Sequence, residues 1–338
     1  MQAAVYHGKE DIRVQDWPDP ELASGEILVR VRYAGICGTD MMIYSGKHPR
    51  AVPPRVLGHE IFGSIEGAGP SVDPTWKKGK RVAIFPLISC RQCTPCKEGN
   101  AHVCEKLGVI GVDCDGGFAS YVKATPNQVV AVPDSLDDEQ AALLEPLSVA
   151  VHAVRNASFR LGDEALVTGG GPIGNLLAQV LRASGAREVI VAEIKEFRRA
   201  LAERLGFRTI NPAEENFQEA LQRLIGQRFV DCVFEASGFP GAYRDAVQCC
   251  KVKGEIMFVG LPKATPEVDI LGLVFKEIRT SSARVYTLRD YLGAIALLAR
   301  CAVDVRTIIT DRLLLKDAPL GFQRMLGAET SLKILLAP

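Results

Sequence analysis

The stretch LVTGGGPIG, Leu166 to Gly174, constrains the fold more than any other part of the chain. It sets Gly169, Gly171 and Gly174 in a G-x-G-x-x-G spacing between an apolar run that reads as a strand and a run that reads as a helix from about Pro172. In that setting the first glycine allows a tight turn, the second lets a diphosphate approach the backbone, and the third lets helix pack closely on strand. Pro172 suits a first helical turn, and the helix start at Pro172 and Ile173 offers free N–H groups and a positive dipole end to an anion. An acidic residue about 20 positions on should close the next strand, and Glu193 in VIVAEIKEF does so. A carboxylate there accepts ribose hydroxyls and repels a 2′-phosphate, which favours NAD over NADP. Lys195, Arg198 and Arg199 lie nearby, and one of them could bind that phosphate, which keeps NADP as the alternative; Arg198 is a further candidate cofactor contact.

The turn sits in a larger pattern. Up to about residue 145 the chain reads as short strands broken by Gly and Pro, among them EILVRVRYAG, EIFGSIEGAG and QVVAVP. From about 148 strands alternate with helical runs, which implies βαβ units and a parallel sheet. After the helical run RDYLGAIALLAR, short strands ending in SLKILLAP return to the first type. An α/β chain of two domains follows, the second inserted in the first: 1–147 with 285–338, and 148–284. Forty basic residues balance forty acidic ones in a chain of 338 that is 47% hydrophobic, so no single-sign field exists to recruit nucleic acid or anionic lipid. The first residues lack a signal-peptide pattern and no apolar run reaches membrane-helix length. A cytoplasmic protein is expected, with its ten cysteines kept as thiols or metal ligands.

Four of those cysteines, Cys90, Cys93, Cys96 and Cys104, lie within SCRQCTPCKEGNAHVC. Four thiolates can close a tetrahedron around Zn²⁺ with no open position, which makes the metal structural. A redox reading of C-x-x-C needs a thioredoxin-like βαβ context that is missing here, and a nucleic-acid finger needs a basic reading helix, whereas Glu98 and Glu105 stand among the bases. An iron-sulfur cluster fits the ligands but not the surroundings.

Three further segments hold single ligand types: GICGTD with Cys37, VLGHE with His59 and Glu60, and LLEPLSVAVHA with Glu145. A Cys, a His and a carboxylate from distant segments can bind zinc and leave a position open for water or substrate. Taken singly, Cys37 also reads as a small buried residue, His59 as a core histidine and Glu145 as a helix cap.

In their order along the chain, GICGTD, GHE, the four cysteines, EPLSVAVHA and GGGPIG resemble the zinc-dependent medium-chain dehydrogenase/reductase family over essentially the whole length. PRVLGHEIFG, GVIGVDCDGGFASY and LLEPLSVAVHA carry a closer likeness to its polyol and sugar-acid branch. The resemblance implies a GroES-like β-barrel catalytic domain plus a Rossmann domain, and a homodimer or homotetramer joined at the Rossmann sheet, where GEIMFVGLPKATPEVDI is a candidate edge. It implies two zinc ions per chain. The catalytic one would take Cys37, His59 and a carboxylate, Glu60 or Glu145, with Asp40 fixing the His59 tautomer. It also implies hydride transfer from a secondary hydroxyl to NAD, with the proton leaving through Thr39.

At one point the chain departs from the family. The histidine that ends the proton relay is Met42 here, so that His48 or bulk water must finish the transfer. Arg284, in SSARVYT, stands where the branch places an arginine facing substrate or cofactor, and its guanidinium suits a sugar-acid carboxylate. The other readings of the same fold are an NADPH-linked reductase acting on another carbonyl or a quinone, and a non-catalytic nucleotide sensor.

Overall fold

The computed structural model describes every residue except Lys263 and Ala328. The chain divides into two compact units, Met1–Glu145 with Ile309–Pro338, and Pro146–Ile308. The first unit opens with a small sheet of Gln2–Gly8, Asp11–Asp16 and Arg55–Val56. Its main elements are β1 (Ile27–Gly35), α1 (Gly38–Tyr44), β2 (Glu60–Ala68), β3 (Arg81–Ile84), β4 (Tyr121–Ala124) and β5 (Val129–Ala131). Along β1, Ile27, Val29 and Val31 point inward and alternate with the half-buried Leu28 and the exposed Arg30 and Arg32, the period of a half-buried strand. Helix α1 starts where Cys37 caps it: the Cys37 N–H donates to Asp40 Oδ2 at 2.8 Å.

Helix α2 (Leu144–Asn156) leads into the second unit. There follow β6 (Glu164–Thr168), α3 (Pro172–Ala183), β7 (Glu188–Ala192), α4 (Glu196–Arg204), β8 (Arg208–Ile210), β9 (Val230–Glu235), α5 (Pro240–Cys249), β10 (Cys250–Phe258), β11 (Arg279–Ser282) and α6 (Leu288–Ala299). The strands pair in parallel in the order β8-β7-β6-β9-β10-β11. Chain direction along the sheet therefore reverses at β6, which makes the turn after β6 the switch point where open α/β sheets bind ligands. All of β6 is buried, as a strand covered on both faces must be. Cys232, Cys249 and Cys250 belong to this interior, where burial pushes their thiols up to about 12 and leaves them inert. The sheet edges are β8 and β11. The strand within GEIMFVGLPKATPEVDI is β10, which lies inside because β11 pairs along it; Lys263 of that segment is outside the described residues.

The chain then returns to the first unit with β12 (Ile309–Leu314) and β13 (Lys333–Ala337). Its seven-stranded sheet runs β5-β3-β2-β1-β13-β12, with β4 also on β1. Gly35 at the end of β1 faces Glu60 of β2 and Leu335 of β13. The sequence pattern places the return at 285, whereas α6 lies within the second unit. Asp290 holds it there: its buried carboxylate pairs with His152 Nδ1 at 2.8 Å and accepts from Arg155 at 2.8 Å, both on α2, and from the Thr287 hydroxyl at 2.6 Å. Among the described residues no helix is long and apolar enough to cross a membrane.

A Cβ on residue 174 would lie 1.7 Å from the Gly169 carbonyl oxygen, so Gly174→Ala should cost about 1–3 kcal/mol by forcing α3 off β6, read as a lower thermal midpoint. Burial works against the Asp290 carboxylate, but His152 and Thr287 outweigh it and hold it well below the ordinary range. A depressed folded-state pKa stabilises above the unfolded value, about 4, and that stability is lost as pH falls. Asp290→Asn should therefore destabilise by about 2 kcal/mol at neutral pH, and chemical denaturation should show the gap to wild type narrowing below about pH 4.

Candidate active-site elements

The glycine turn is fixed from several sides. Gly169 has a φ of 98°, open to glycine and strained for other residues. The Asn175 side chain donates to the Gly170 carbonyl at 2.7 Å, and Glu193 Oε2 accepts the Gly170 N–H at 2.9 Å while Oε1 accepts that of Lys195 at 2.9 Å. Glu193 thus secures the turn, with lone pairs left for a ribose. Gly171 caps α3 with no side-chain bond, and the space where its Cβ would point meets only Arg198, whose Nη1 is 4.0 Å away. Arg198 Nη1 lies 3.7 Å from Glu193 and its buried Nε has no partner. Unpaired helix N–H groups, open space at the second glycine and a guanidinium beside it fit a dinucleotide diphosphate.

In the four-cysteine lobe the ligand sulfurs of Cys90, Cys93, Cys96 and Cys104 all lie within 4.8 Å of one another. Cys93 Sγ is 3.4 Å from that of Cys96 and 3.8 Å from that of Cys104. Disulfide bonds are far shorter, whereas thiolates about 2.3 Å from a central zinc sit about 3.8 Å apart. Backbone N–H groups of Gln92 and Cys93 point at Cys90 Sγ, and those of Cys90 and Lys106 at Cys104 Sγ. The Gln92 and Cys93 bonds, helped by Cys104, bring the Cys90 thiol down to about 6. These donors favour thiolates, so the lobe fits a closed metal site.

A second group brings Cys37, His59 and Glu60 together, their ligand atoms again within 4.8 Å. Cys37 follows the end of β1 and Glu60 begins β2, so the pairing of those strands joins residues distant in sequence. His59 is buried, with Nδ1 3.6 Å from Asp40 Oδ1, and neither atom has a hydrogen-bond partner. Nε2 is thereby left for a metal. Burial works against a charged imidazole there, but Asp40 and Cys37 outweigh it, so His59 lies well above its ordinary value. A half-buried thiol, a buried imidazole and a buried carboxylate form a cation-attracting donor set, and three ligands leave a position open. Glu145, in the first turn of α2, is buried but is not in this group.

Thr39 is half-buried in the first turn of α1, and Met42 is 37% exposed. The half-buried His48 accepts the N–H groups of Arg50 and Ala51 on Nδ1, at 3.3 and 3.2 Å. Its proton therefore sits on Nε2, and burial, then Arg50, lowers its pKa. Arg284 is exposed in the loop between β11 and α6.

Lys333 carries no sequence signal of its own. It heads β13, is 2% exposed, and its Nζ donates to both Glu60 oxygens at 2.6 and 2.7 Å and to the Ile36 carbonyl at 3.1 Å. Burial works against the ammonium, but Glu60 outweighs it and raises the pKa. Gly35 is equally silent in the sequence: a Cβ there would lie 2.0 Å from Glu60 Oε2.

The profile of the alcohol dehydrogenase GroES-like domain matches residues 23–134, and that of the zinc-binding dehydrogenases matches 172–300. A 2-dehydro-3-deoxy-L-galactonate 5-dehydrogenase of Pseudoalteromonas atlantica is 35% identical over 99% of this chain and 98% of its own. Among solved structures, an alcohol dehydrogenase from Escherichia coli CFT073 complexed with NADH superposes with a TM-score of 0.93 at 29% identity, over 100% of this chain and 99% of that one. A zinc-binding dehydrogenase from Sinorhizobium meliloti 1021 bound to NADP gives 0.92 at 30%, with the same coverage.

Cys96→Ser removes one sulfur of the closed lobe. Elemental analysis of the purified variant should show a loss of about one metal ion per chain relative to wild type, because three remaining ligands hold structural zinc poorly.

Proposed function

We propose, from the premise that this chain belongs to the zinc-binding alcohol dehydrogenase family, that it oxidises a secondary hydroxyl of a sugar acid or polyol with NAD. The convergence of Cys37, His59 and Glu60 from separate segments carries this reading, supported by the sugar-acid substrate in the name of the Pseudoalteromonas relative.

Cys37 and His59 would hold the catalytic zinc, with a carboxylate from Glu60 or Glu145 beside them, and Cys90, Cys93, Cys96 and Cys104 the structural one. A zinc ion held there would polarise the substrate hydroxyl and make its proton easier to lose. Asp40 steers His59 through the nitrogen that faces away from the metal. The Thr39 hydroxyl, two residues beyond Cys37, takes the departing proton. The sequence offers His48 to complete this relay, but its free nitrogen carries the hydrogen and its other nitrogen already accepts two N–H bonds, so we assign the last step to water. Gly169, Gly171, Pro172, Ile173 and Gly174 cradle the diphosphate, Glu193 takes the ribose and Arg198 flanks the turn. NAD is preferred because the Glu193 carboxylate repels a 2′-phosphate; Arg198 and the NADP-bound relative favour NADP as the second reading. Arg284 is assigned to the substrate carboxylate.

The protein would work as a homodimer or homotetramer. The outer edge of β11 and, separately, the exposed Ile270, Leu271, Val274 and Phe275 of the helix capped by Asp269 support self-association.

A spectrophotometric screen for NADH formation over aldonates, polyols and amino alcohols should give turnover with sugar acids that a zinc chelator abolishes. Arg284→Ala should raise KM for the acids about tenfold or more and leave neutral polyols unchanged. Turnover that survives full removal of metal, or an equal rise in KM for both substrate classes, would overturn the respective assignment.

A further inference from the structure

We propose that Glu235 is a specificity-determining residue: its buried negative charge makes the second unit favour the oxidised, positively charged nicotinamide of a bound dinucleotide over the reduced, neutral one. This rests on the reading above that the unit binds NAD.

Glu235 ends β9, opposite the glycine turn rather than within it. It is the register partner of Thr168, the last residue of β6, so it stands on the far lip of the crevice where chain direction along the sheet reverses. Three turns meet on this residue. Oε1 accepts the Ser237 N–H at 2.8 Å, the Gly238 N–H at 3.0 Å and the Ser237 hydroxyl, which together shape the turn after β9. That turn packs so near the first glycine that a Cβ on Gly169 would lie 2.9 Å from Ser237 Cα. The Glu235 carbonyl accepts the N–H groups of Val259 and Gly260, both at 2.8 Å, and a Cβ on Gly260 would stand 2.6 Å from Oε2.

What this residue lacks is a cation. Glu235 is 0% exposed, Oε2 has no hydrogen-bond partner, and among the described residues no ion pair reaches it. Three donors on one oxygen suit a carboxylate. Dipoles cancel its charge less fully than a counter-ion would, and low polarity lets the remainder act at a distance. The Tyr243 hydroxyl feels it: that group donates to the Gly260 carbonyl at 3.1 Å, and burial, then Glu235, pushes it up to about 12.

The first half of the sheet, β6 to β8, carries the residues assigned to the diphosphate and the adenosine ribose, and this fold joins it to a second mononucleotide half, β9 to β11. Glu235 belongs to that second half, which is left for the nicotinamide. The ring carries one positive charge when oxidised and none after it accepts a hydride, while the rest of the dinucleotide is the same in both forms. A charge that acts on the ring therefore changes the ratio of the two affinities. A residue that only braces the turns changes both affinities alike.

The test measures dissociation constants on the full-length protein, for NADH from its fluorescence and for NAD⁺ by displacement of NADH. Glu235→Gln removes the charge and keeps an oxygen for the three donors, and it should move the ratio of the two constants about fivefold or more in favour of NADH. Glu235→Asp keeps the charge and disturbs the turns, so that ratio should stay within about twofold of wild type while both constants rise. An unchanged ratio in Glu235→Gln, or an equal shift in Glu235→Asp, would overturn the proposal. Should Glu235→Gln not fold, Ser237→Ala decides. Loss of that donor bares more of the charge and should move the ratio about twofold toward NAD⁺, and a ratio that does not move refutes the proposal. Failure of the wild type to bind either form would instead refute the NAD reading itself, and this inference with it.

Discussion

The convergence of Cys37, His59 and Glu60 depends on one junction of backbone hydrogen bonds. The end of β1 pairs antiparallel with the start of β2 on one side and with β13 on the other. That pairing sets Cys37, His59, Glu60 and Lys333 at one locus, although the chain between Glu60 and Lys333 includes a whole second unit. A one-residue slip of β2 or β13 would turn every side chain to the opposite face and scatter the group. Alternating apolar residues resist such a slip, because β1 and β13 bury Val29, Val31, Ile334 and Leu336 in the core of the first unit.

Charge follows from this placement. Asp40 and Glu60 are fully buried and Glu145 and His59 nearly so, and a thiol lies among them. Lys333 balances one carboxylate by a direct pair. The remaining acids, including an Asp40 oxygen with no hydrogen bond, define a place that favours positive charge, and burial sharpens the preference because low polarity strengthens every electrostatic contact. The second unit faces the opposite problem. Its turn sets bare helix N–H groups beside Arg198, donors suited to negative charge, with the Glu193 carboxylate 3.7 Å from that guanidinium.

Features written in a short stretch of sequence were the legible ones. The turn from Gly169 to Gly174 sits where its spacing predicts, at the end of β6 and the start of α3, and the four cysteines of the lobe converge as their spacing suggests. Cys37, His59 and Glu60 could be suspected singly, but only strand pairing joins them. Lys333 gave no signal, since a lysine at the head of a strand ordinarily faces water and its burial depends on a glutamate 273 positions away. Gly35 looked like a strand end, and only the space taken by Glu60 explains it. The return to the first unit was set too early because Arg279–Ser282 is followed by a helix whose attachment rests on Asp290 meeting His152 and Arg155, a contact that no local pattern announces.

The first unit's sheet is finished by β12 and β13, which follow the second unit in the chain. A ribosome releases residues in order, so a nascent chain can complete the parallel sheet while β1 still lacks its neighbour and Glu60 its ammonium. The four-cysteine lobe, closed between Cys90 and Cys104, needs no such wait. Of the two ligand clusters, one can assemble during synthesis, and the other acquires its final electrostatic surroundings only when the last strand arrives.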